Sequence, residues 1–172
     1  NLVEERTKEL ELATERVRTI IEIAPDAVIT IDDNQIVTLF NPKAEEIFGY
    51  SADEVLGQSL TMLMPEKSRS PHGSEVAKFG QEKLSSRSMD NRRDIMGKRK
   101  DGSIFPAEAG ISKMEINGEQ YFTTFFRDIT KRREMEARIL EQNKELEISE
   151  RKSTSIIESA GEGILVIDQN ST

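Results

Sequence analysis

Both ends of the chain have the hydrophobic spacing of a helix. Near the N-terminus apolar residues recur at alternating intervals of three and four, with polar Arg6 allowed in the series, and the same spacing returns near the C-terminus. This pattern is typical of a coiled-coil seam, while an amphipathic helix lying on its own domain is the alternative. We predict helices over 1–24 and 131–160. The seam positions are Val3, Leu10, Ala13, Val17, Ile20 and Ala24 in the first helix, and Met135, Ile139, Gln142, Leu146, Ser149, Ser153, Ile156 and Ala160 in the second.

The segment between these helices opens with a strand pattern. Ala27–Ile31 and Ile36–Phe40 are apolar runs separated by a polar turn, which predicts a β-hairpin. Asn41 then provides a helix cap and Pro42 a favourable first-turn residue. The helix that they start should end at Gly49.

Short helices and three strands complete this middle segment. We expect helical stretches at 53–56, 60–64 and about 70–84, and strands at 92–100, 103–114 and 120–128. Asp-Gly and Asn-Gly turns separate the three strands. The order of two strands, several helices and three strands predicts an α+β domain over 25–130, with a five-stranded antiparallel sheet and helices on one face.

The chain also contains an internal repeat with an offset of 136 positions. Residues 8–11 recur at 144–147, and Ile31 with Asp32 recurs as Ile167 with Asp168. One register therefore aligns a helix together with the strand that follows it. We predict that residues 161–172 are the start of a second domain of the same kind.

Composition excludes several classes of function. The net charge of −8 lacks the basic surplus that nucleic-acid binding requires, so no nucleic-acid partner is expected. The absence of cysteine excludes disulfides, iron–sulfur clusters and thiol-linked chromophores, and the one histidine excludes a multi-histidine metal site. No apolar run approaches the roughly 20 residues that cross a bilayer. We expect a cytoplasmic segment without direct membrane contact.

Five motifs, in the correct order, resemble the PAS sensor domain over about Ile20 to Thr130. The resemblance implies the PAS fold and a sensory role, with 1–24 as an N-terminal signalling helix, 131–160 as a coiled-coil linker and 161–172 as a fragment of a second PAS domain. The two helical seams predict a parallel homodimer through the coiled coils, which would relay a signal to a downstream output domain of the same chain. The motifs are Asn41-Pro42 with Ala44, Phe48–Ser51, Glu54–Gly57, Arg99–Ser103 and Phe126–Thr130.

The last motif resembles the exit from the final PAS strand into the output helix. Arg127, Asp128 and Thr130 are therefore candidate junction residues, fixed by a local ion pair or a helix cap. Any shift of the sheet must then move the start of the helix.

Leu63–Glu66, Arg69 and His72 resemble a motif of the oxygen-sensing haem PAS domains of rhizobial histidine kinases. That resemblance implies that His72 ligates the iron of haem b and that Arg93 contacts the bound gas. Ile111 would form a pocket wall, and Lys78 stands where a haem propionate would be contacted. A neutral imidazole in an apolar pocket is suitable chemistry for an axial ligand.

Other readings remain open beside haem. The domain can instead be a cofactor-free dimerisation spacer or a sensor of another small ligand. We assign no catalytic residue to this segment, because its carboxylate and basic clusters lie at predicted turns. The parent protein would be a sensor histidine kinase or a diguanylate cyclase. His72 is not expected to be a kinase phosphoacceptor, because Pro71 and Gly73 should interrupt a continuous helix.

Overall fold

The computed structural model describes residues 2–83, 85–88 and 95–169, and the chain divides into two compact units, Asn1–Thr130 and Lys131–Thr172. Its helices are α1 (Leu2–Glu22), α2 (Pro42–Phe48), α3 (Ala52–Val55), α4 (Glu66–Gln81) and α5 (Thr130–Gln169), with a 3₁₀ turn at Leu60–Leu63. Its strands are β1 (Ala27–Asp32), β2 (Val37–Phe40), β3 (Ser86–Ser88), β4 (Ile95–Lys98), β5 (Ile104–Ile116) and β6 (Glu119–Asp128).

The strands form one antiparallel sheet in the order β2, β1, β6, β5, β3. Strand β6 pairs with one edge of β5, and β3 and β4 both pair with its other edge. Because β3 and β4 lie along different parts of that edge, the six strands occupy five positions in the sheet. The predicted α+β fold with a five-stranded antiparallel sheet is confirmed. The hairpin of β1 and β2 is confirmed as well.

Buried and exposed side chains alternate along the long strands, and this alternation shows which face of the sheet is buried. On β5 the buried side chains are Phe105, Ala107, Ala109 and Ile111, at every second position. Phe48 of α2 packs against this face, with its ring centroid 5.5 Å from that of Phe105. Burial of each large apolar side chain contributes about 1.5–3 kcal/mol, so this face forms the core.

Helix α2 is delimited as the sequence predicts. The Asn41 side chain accepts a hydrogen bond from the Ala44 N–H, and Pro42 is the first helical residue. Gly49 ends the helix in the left-handed conformation, with φ 76°, which a residue without Cβ adopts at little cost. These local signals fix the position of Phe48 in the core.

Helix α4 begins earlier than the sequence predicts and also ends earlier. It starts after Pro65, and Pro71 and Gly73 both lie inside it. Pro71 lacks one N–H donor, but the surrounding helix persists because Val76 and Phe79 anchor it in the core. The expectation that Pro71 and Gly73 interrupt the helix is therefore wrong. Since α4 packs on its own domain through these side chains, it still differs from a dimerisation helix.

The edge of the sheet beyond β5 was only partly predicted. The expected strand over 92–100 is observed as β4, Ile95–Lys98, and the expected residues before it lie outside the described part of the chain. The short strand β3, Ser86–Ser88, was missed. Its sequence is polar and lacks the apolar alternation by which strands are recognised.

The C-terminal helix α5 is longer than predicted, since its backbone is helical from Thr130 to Gln169. The strand expected around Ile167 and Asp168 is not formed. A strand needs hydrogen-bond partners on a neighbouring strand, whereas a helix satisfies its backbone groups internally. The assignment of 161–172 to a second domain stays a prediction.

The helical seams of α1 and α5 are exposed in the single chain. Leu10 and Leu146 are 69% and 58% exposed, respectively, and α1 contains no buried residue. No described helix combines the length and the apolar character that a membrane span requires.

Candidate functional site

A cavity of about 290 Å³ lies between the buried face of the sheet and the segment formed by the 3₁₀ turn and α4. This volume is close to the lower end of the roughly 300–1,000 Å³ typical of small-molecule pockets. Most of its walls are apolar. The lining residues are Ile29, Ile31, Phe48, Leu60, Leu63, Met64, Lys67, Ser68, Pro71, His72, Glu75, Ile95, Met96, Ala109, Ile111, Thr124 and Phe126.

His72 lies on α4 and contributes to the wall of this cavity. Its Nδ1 is 3.0 Å from Oε1 of Gln35 in the turn between β1 and β2. Burial lowers the pKa of His72 below its ordinary value, while the carboxylate of Glu75 acts in the opposite direction. The imidazole is therefore neutral at neutral pH, which is the form that can ligate a metal.

The cavity-lining residues of α4 recur at helical spacing. Lys67, Pro71 and Glu75 each lie one turn apart and share a side of the helix with His72. Lys78 does not line the cavity, and its side chain is exposed. The structure thus brings Lys67, and not the expected Lys78, to the cavity.

The other residues predicted for this site have different outcomes. Ile111 is buried, with 4% exposure, and lines the cavity. Ala109 lies one inward position before it on β5 and also lines the cavity. Arg93 lies outside the described residues, so its role stays a prediction.

Lys113 of β5 holds the C-terminal end of α4. Its Nζ donates to the carbonyl oxygens of Phe79 and Gly80, each at 3.0 Å, and to that of Glu82. A cation at this end satisfies carbonyls that have no partner within the helix and interacts favourably with the helix dipole. This contact fixes the helix that carries His72 on the sheet.

The residues around the cavity are suited to a cofactor whose metal ion already has most of its ligands. Within the described ranges, no three His, Asp or Glu side chains form a metal-binding group. An iron held in a porphyrin needs only one or two axial ligands from the protein. His72 can supply one, and the apolar walls suit a macrocycle, so these residues fit haem.

A second group of contacts surrounds the end of β6. Oδ1 of Asp128 accepts hydrogen bonds from the backbone N–H and the hydroxyl of Thr130, at 2.8 and 2.6 Å. Its Oδ2 is 2.5 Å from Nη2 of Arg99. Partial burial acts to raise the pKa of Asp128, but the hydrogen bonds from Thr130 and Arg99 outweigh it and lower the pKa. The carboxylate is thus ionised at neutral pH and fixes the start of α5.

Arg99 is the junction residue that the sequence prediction missed. Its guanidinium carbon lies 3.9 Å from the centre of the Phe105 ring, and Nη1 donates to the carbonyl of Ile47 in α2. Arg99 therefore connects the core, α2 and Asp128. The motif Arg99–Ser103 indicated that Arg99 is important, but it did not indicate that Asp128 is its partner.

Arg127 and Asp128, for which the sequence predicted a local ion pair or a helix cap, do not form an ion pair with each other. Arg127 instead donates from Nε and Nη2 to the two carboxylate oxygens of Asp26, both at 2.8 Å. Successive side chains of a strand point to opposite faces, so Arg127 and Asp128 find partners on different sides. Asp26 precedes β1, and its pairing ties the end of β6 to the segment after α1.

Comparison with known proteins identifies relatives of the whole middle segment. The family model described as the PAS fold matches residues 15–129. The sensor protein FixL of Bradyrhizobium diazoefficiens is 39% identical over 141 residues, which are 82% of this chain and 27% of that protein. This chain therefore spans only about a quarter of that relative's length.

Two solved structures share the fold at lower identity. The PAS domain of an HTR-like protein from Haloarcula marismortui is 23% identical, with a TM-score of 0.62 over 73% of this chain and 99% of that one. The PAS domain of a two-component sensor histidine kinase is 18% identical, with a TM-score of 0.57 over 69% and 97% of the two chains.

Proposed function

This chain belongs to the PAS fold family, and we propose that it is the sensory module of a multi-domain signal-transduction protein. The ligand state of its cavity is relayed through Asp128 and Thr130 into α5. The observation that carries this proposal is the apolar cavity with a single histidine in its wall. A relative that is 39% identical over 82% of this chain is itself called a sensor protein, which supports the assignment.

The ligand that we propose is haem b. His72 would ligate the iron, while Ile111 and Ala109 would contact the face of the macrocycle. Lys67, which lines the cavity, would be the cation that contacts a propionate, in the role expected from the sequence for Lys78. Haem, when bound, supplies an iron site for a diatomic gas. The protein's own contributions are a neutral imidazole, walls that exclude water and, as proposed from the sequence, Arg93 as the donor to the bound gas.

A small carboxylate is the second candidate ligand. The cavity is at the small end of the usual range, and Lys67 and Ser68 supply a cation and a hydroxyl donor beside apolar walls. Such a site would bind one carboxylate group and a short apolar tail. The protein would then sense a metabolite in place of a gas.

The haem proposal is tested by reconstitution and absorption spectroscopy. We expect the purified protein to acquire a Soret band with one haem per chain, and His72→Ala to lose it because no other imidazole exists in the chain. Gln81→Ala, an exposed change at the end of the same helix, should keep the band. A wild-type protein without a Soret band, or an unchanged band in His72→Ala, would contradict haem ligation. Calorimetry with short carboxylates then tests the second candidate.

For the parent protein we propose a cytoplasmic sensor histidine kinase, with a diguanylate cyclase as the alternative output. The relatives described as a sensor protein and as a sensor histidine kinase support the first. We also propose that two copies pair in parallel through the seams of α1 and α5. Parallel pairing would let both copies deliver one signal to the same output helices.

A further inference from the structure

The main chain of Gln35 is hydrogen-bonded through both its N–H and its carbonyl in the turn between β1 and β2. Its N–H donates to the carbonyl of Asp32 at 3.1 Å, and its own carbonyl accepts the N–H of Leu60 at 2.9 Å. Its φ of 62° is in the left-handed region, which few side chains other than those of Asn and Asp adopt readily. The surrounding turn thus keeps this residue in a conformation that its own preference does not favour.

The Gln35 side chain crosses from this turn to α4. Its Oε1 is 3.0 Å from Nδ1 of His72, and its amide nitrogen lies beside Gly73. A Cβ added at Gly73 would stand 3.0 Å from that nitrogen, which is tighter than ordinary contact. Two consecutive residues of α4, a histidine and a glycine, therefore accommodate this one side chain.

The hydrogen bond determines which nitrogen of the imidazole carries the proton. An amide oxygen can only accept, so Nδ1 must be the donor. A neutral imidazole has a single N–H, which leaves Nε2 with a free electron pair. We propose that Gln35 is a positioning residue that fixes this tautomer and the ring orientation of His72, and so prepares Nε2 as a ligand. Its relevance to iron rests on the proposed haem function.

The expected consequence for a metal ligand is substantial. Hydrogen bonds from a ligating histidine to a neighbouring acceptor orient the ring and raise its basicity, and their loss lowers metal affinity about 10–100-fold. Gln35→Met keeps the length of the side chain but replaces the amide oxygen with a thioether sulfur, which is only a weak acceptor, so it should weaken haem binding by this factor. Gln35→Glu keeps the acceptor and should bind haem at least as tightly as the wild type.

The tautomer can be read directly, because His72 is the only histidine in the chain. Long-range nitrogen–proton NMR spectra of the haem-free protein, at a pH where the ring is neutral, distinguish the two tautomers without assignment. We expect the Nδ1–H form in the wild type and in Gln35→Glu, and loss of that preference in Gln35→Met. Gln81→Met, at the exposed end of α4, is the matched control and should retain the wild-type spectrum.

The tautomer of His72 and the haem affinity are measured independently, so the role of Gln35 can be tested separately from the haem proposal. An Nε2–H tautomer in the wild type, or an unchanged Nδ1–H tautomer in Gln35→Met, would overturn the role of Gln35 even if haem binds through His72. Equal haem affinity of Gln35→Met and the wild type would overturn it too. If no variant binds haem but the tautomer depends on Gln35 as described, the haem proposal fails and the positioning role stands.

Discussion

Asp128 is the residue at which the core, the last strand and α5 are linked. It binds Thr130 through one oxygen and Arg99 through the other, and Arg99 in turn contacts Phe105 and α2. The local half of this arrangement, the bond to Thr130, could be predicted from the sequence. The pairing with Arg99 spans 29 positions and depends on how β4 and β6 flank β5, which no local pattern encodes.

Asp128→Asn tests the charge at this junction, since it keeps an oxygen acceptor but removes the charge. A carboxylate whose pKa is lowered by folding contributes stability that is complete above its ordinary pKa of 3.8 and is lost as the pH falls through the lower, folded value. We expect the variant to lose about 1–2 kcal/mol of unfolding free energy at pH 7. Urea unfolding at several pH values should show that the difference in unfolding free energy between Asp128→Asn and the wild type shrinks below about pH 4.

Asp33→Asn, in the exposed turn after β1, is the control for that experiment. It should change the unfolding free energy by less than about 0.5 kcal/mol at either pH. A deficit in Asp128→Asn that is equally large at neutral and acidic pH would contradict a role for the ionised carboxylate.

Around His72, too, residues within sequence motifs could be predicted, whereas contacts between distant segments could not. His72 and Ile111 could be placed in a pocket from their resemblance to family motifs, and both line the cavity. The partner of His72, Gln35, lies 37 positions away in a turn, and Lys67 lines the cavity whereas Lys78 does not. These contacts follow from tertiary packing, which overrides local preference.

At the scale of elements, helix limits were predicted well where a cap determines them. Asn41 and Gly49 bound α2, but α4 has no side-chain cap, and the sequence predicted its start only at about residue 70. Proline is favoured at a first helical position, yet packing of the following turns can hold it further inside. Strand β3 could not be predicted, because pairing with β5 defines it and its polar sequence does not.

The seam of α5 yields a prediction about association. Ile139, Leu146 and Ile156 are more than half exposed in the single chain, which favours a partner helix. We expect sedimentation to show a dimer at tens of micromolar, and Leu146→Lys to weaken it. The same substitution at the neighbouring Glu145, which is outside the seam, should have less effect. A monomeric wild type, or equal weakening by both changes, would contradict pairing through this seam.

At the scale of the whole molecule, the order of elements determined the prediction of the fold. Two strands, several helices and three strands, with five motifs in sequence, indicated the PAS fold that the family match over residues 15–129 shows. The internal repeat was less reliable for local structure, because the aligned segment near Ile167 is helical here. A strand depends on neighbours that a short repeated sequence does not supply.

Under the proposed function, ligand bound in the cavity alters the junction between β6 and α5. Because Asp128 fixes the first residue of α5, occupancy of the cavity should change the stability of the first helical turn. Hydrogen exchange of the backbone amides from Ile129 through the first turn of α5, compared with and without haem, measures this directly. We predict a change of exchange in the wild type that Asp128→Ala abolishes while its Soret band stays intact. Identical exchange with and without bound haem in the wild type would contradict the account.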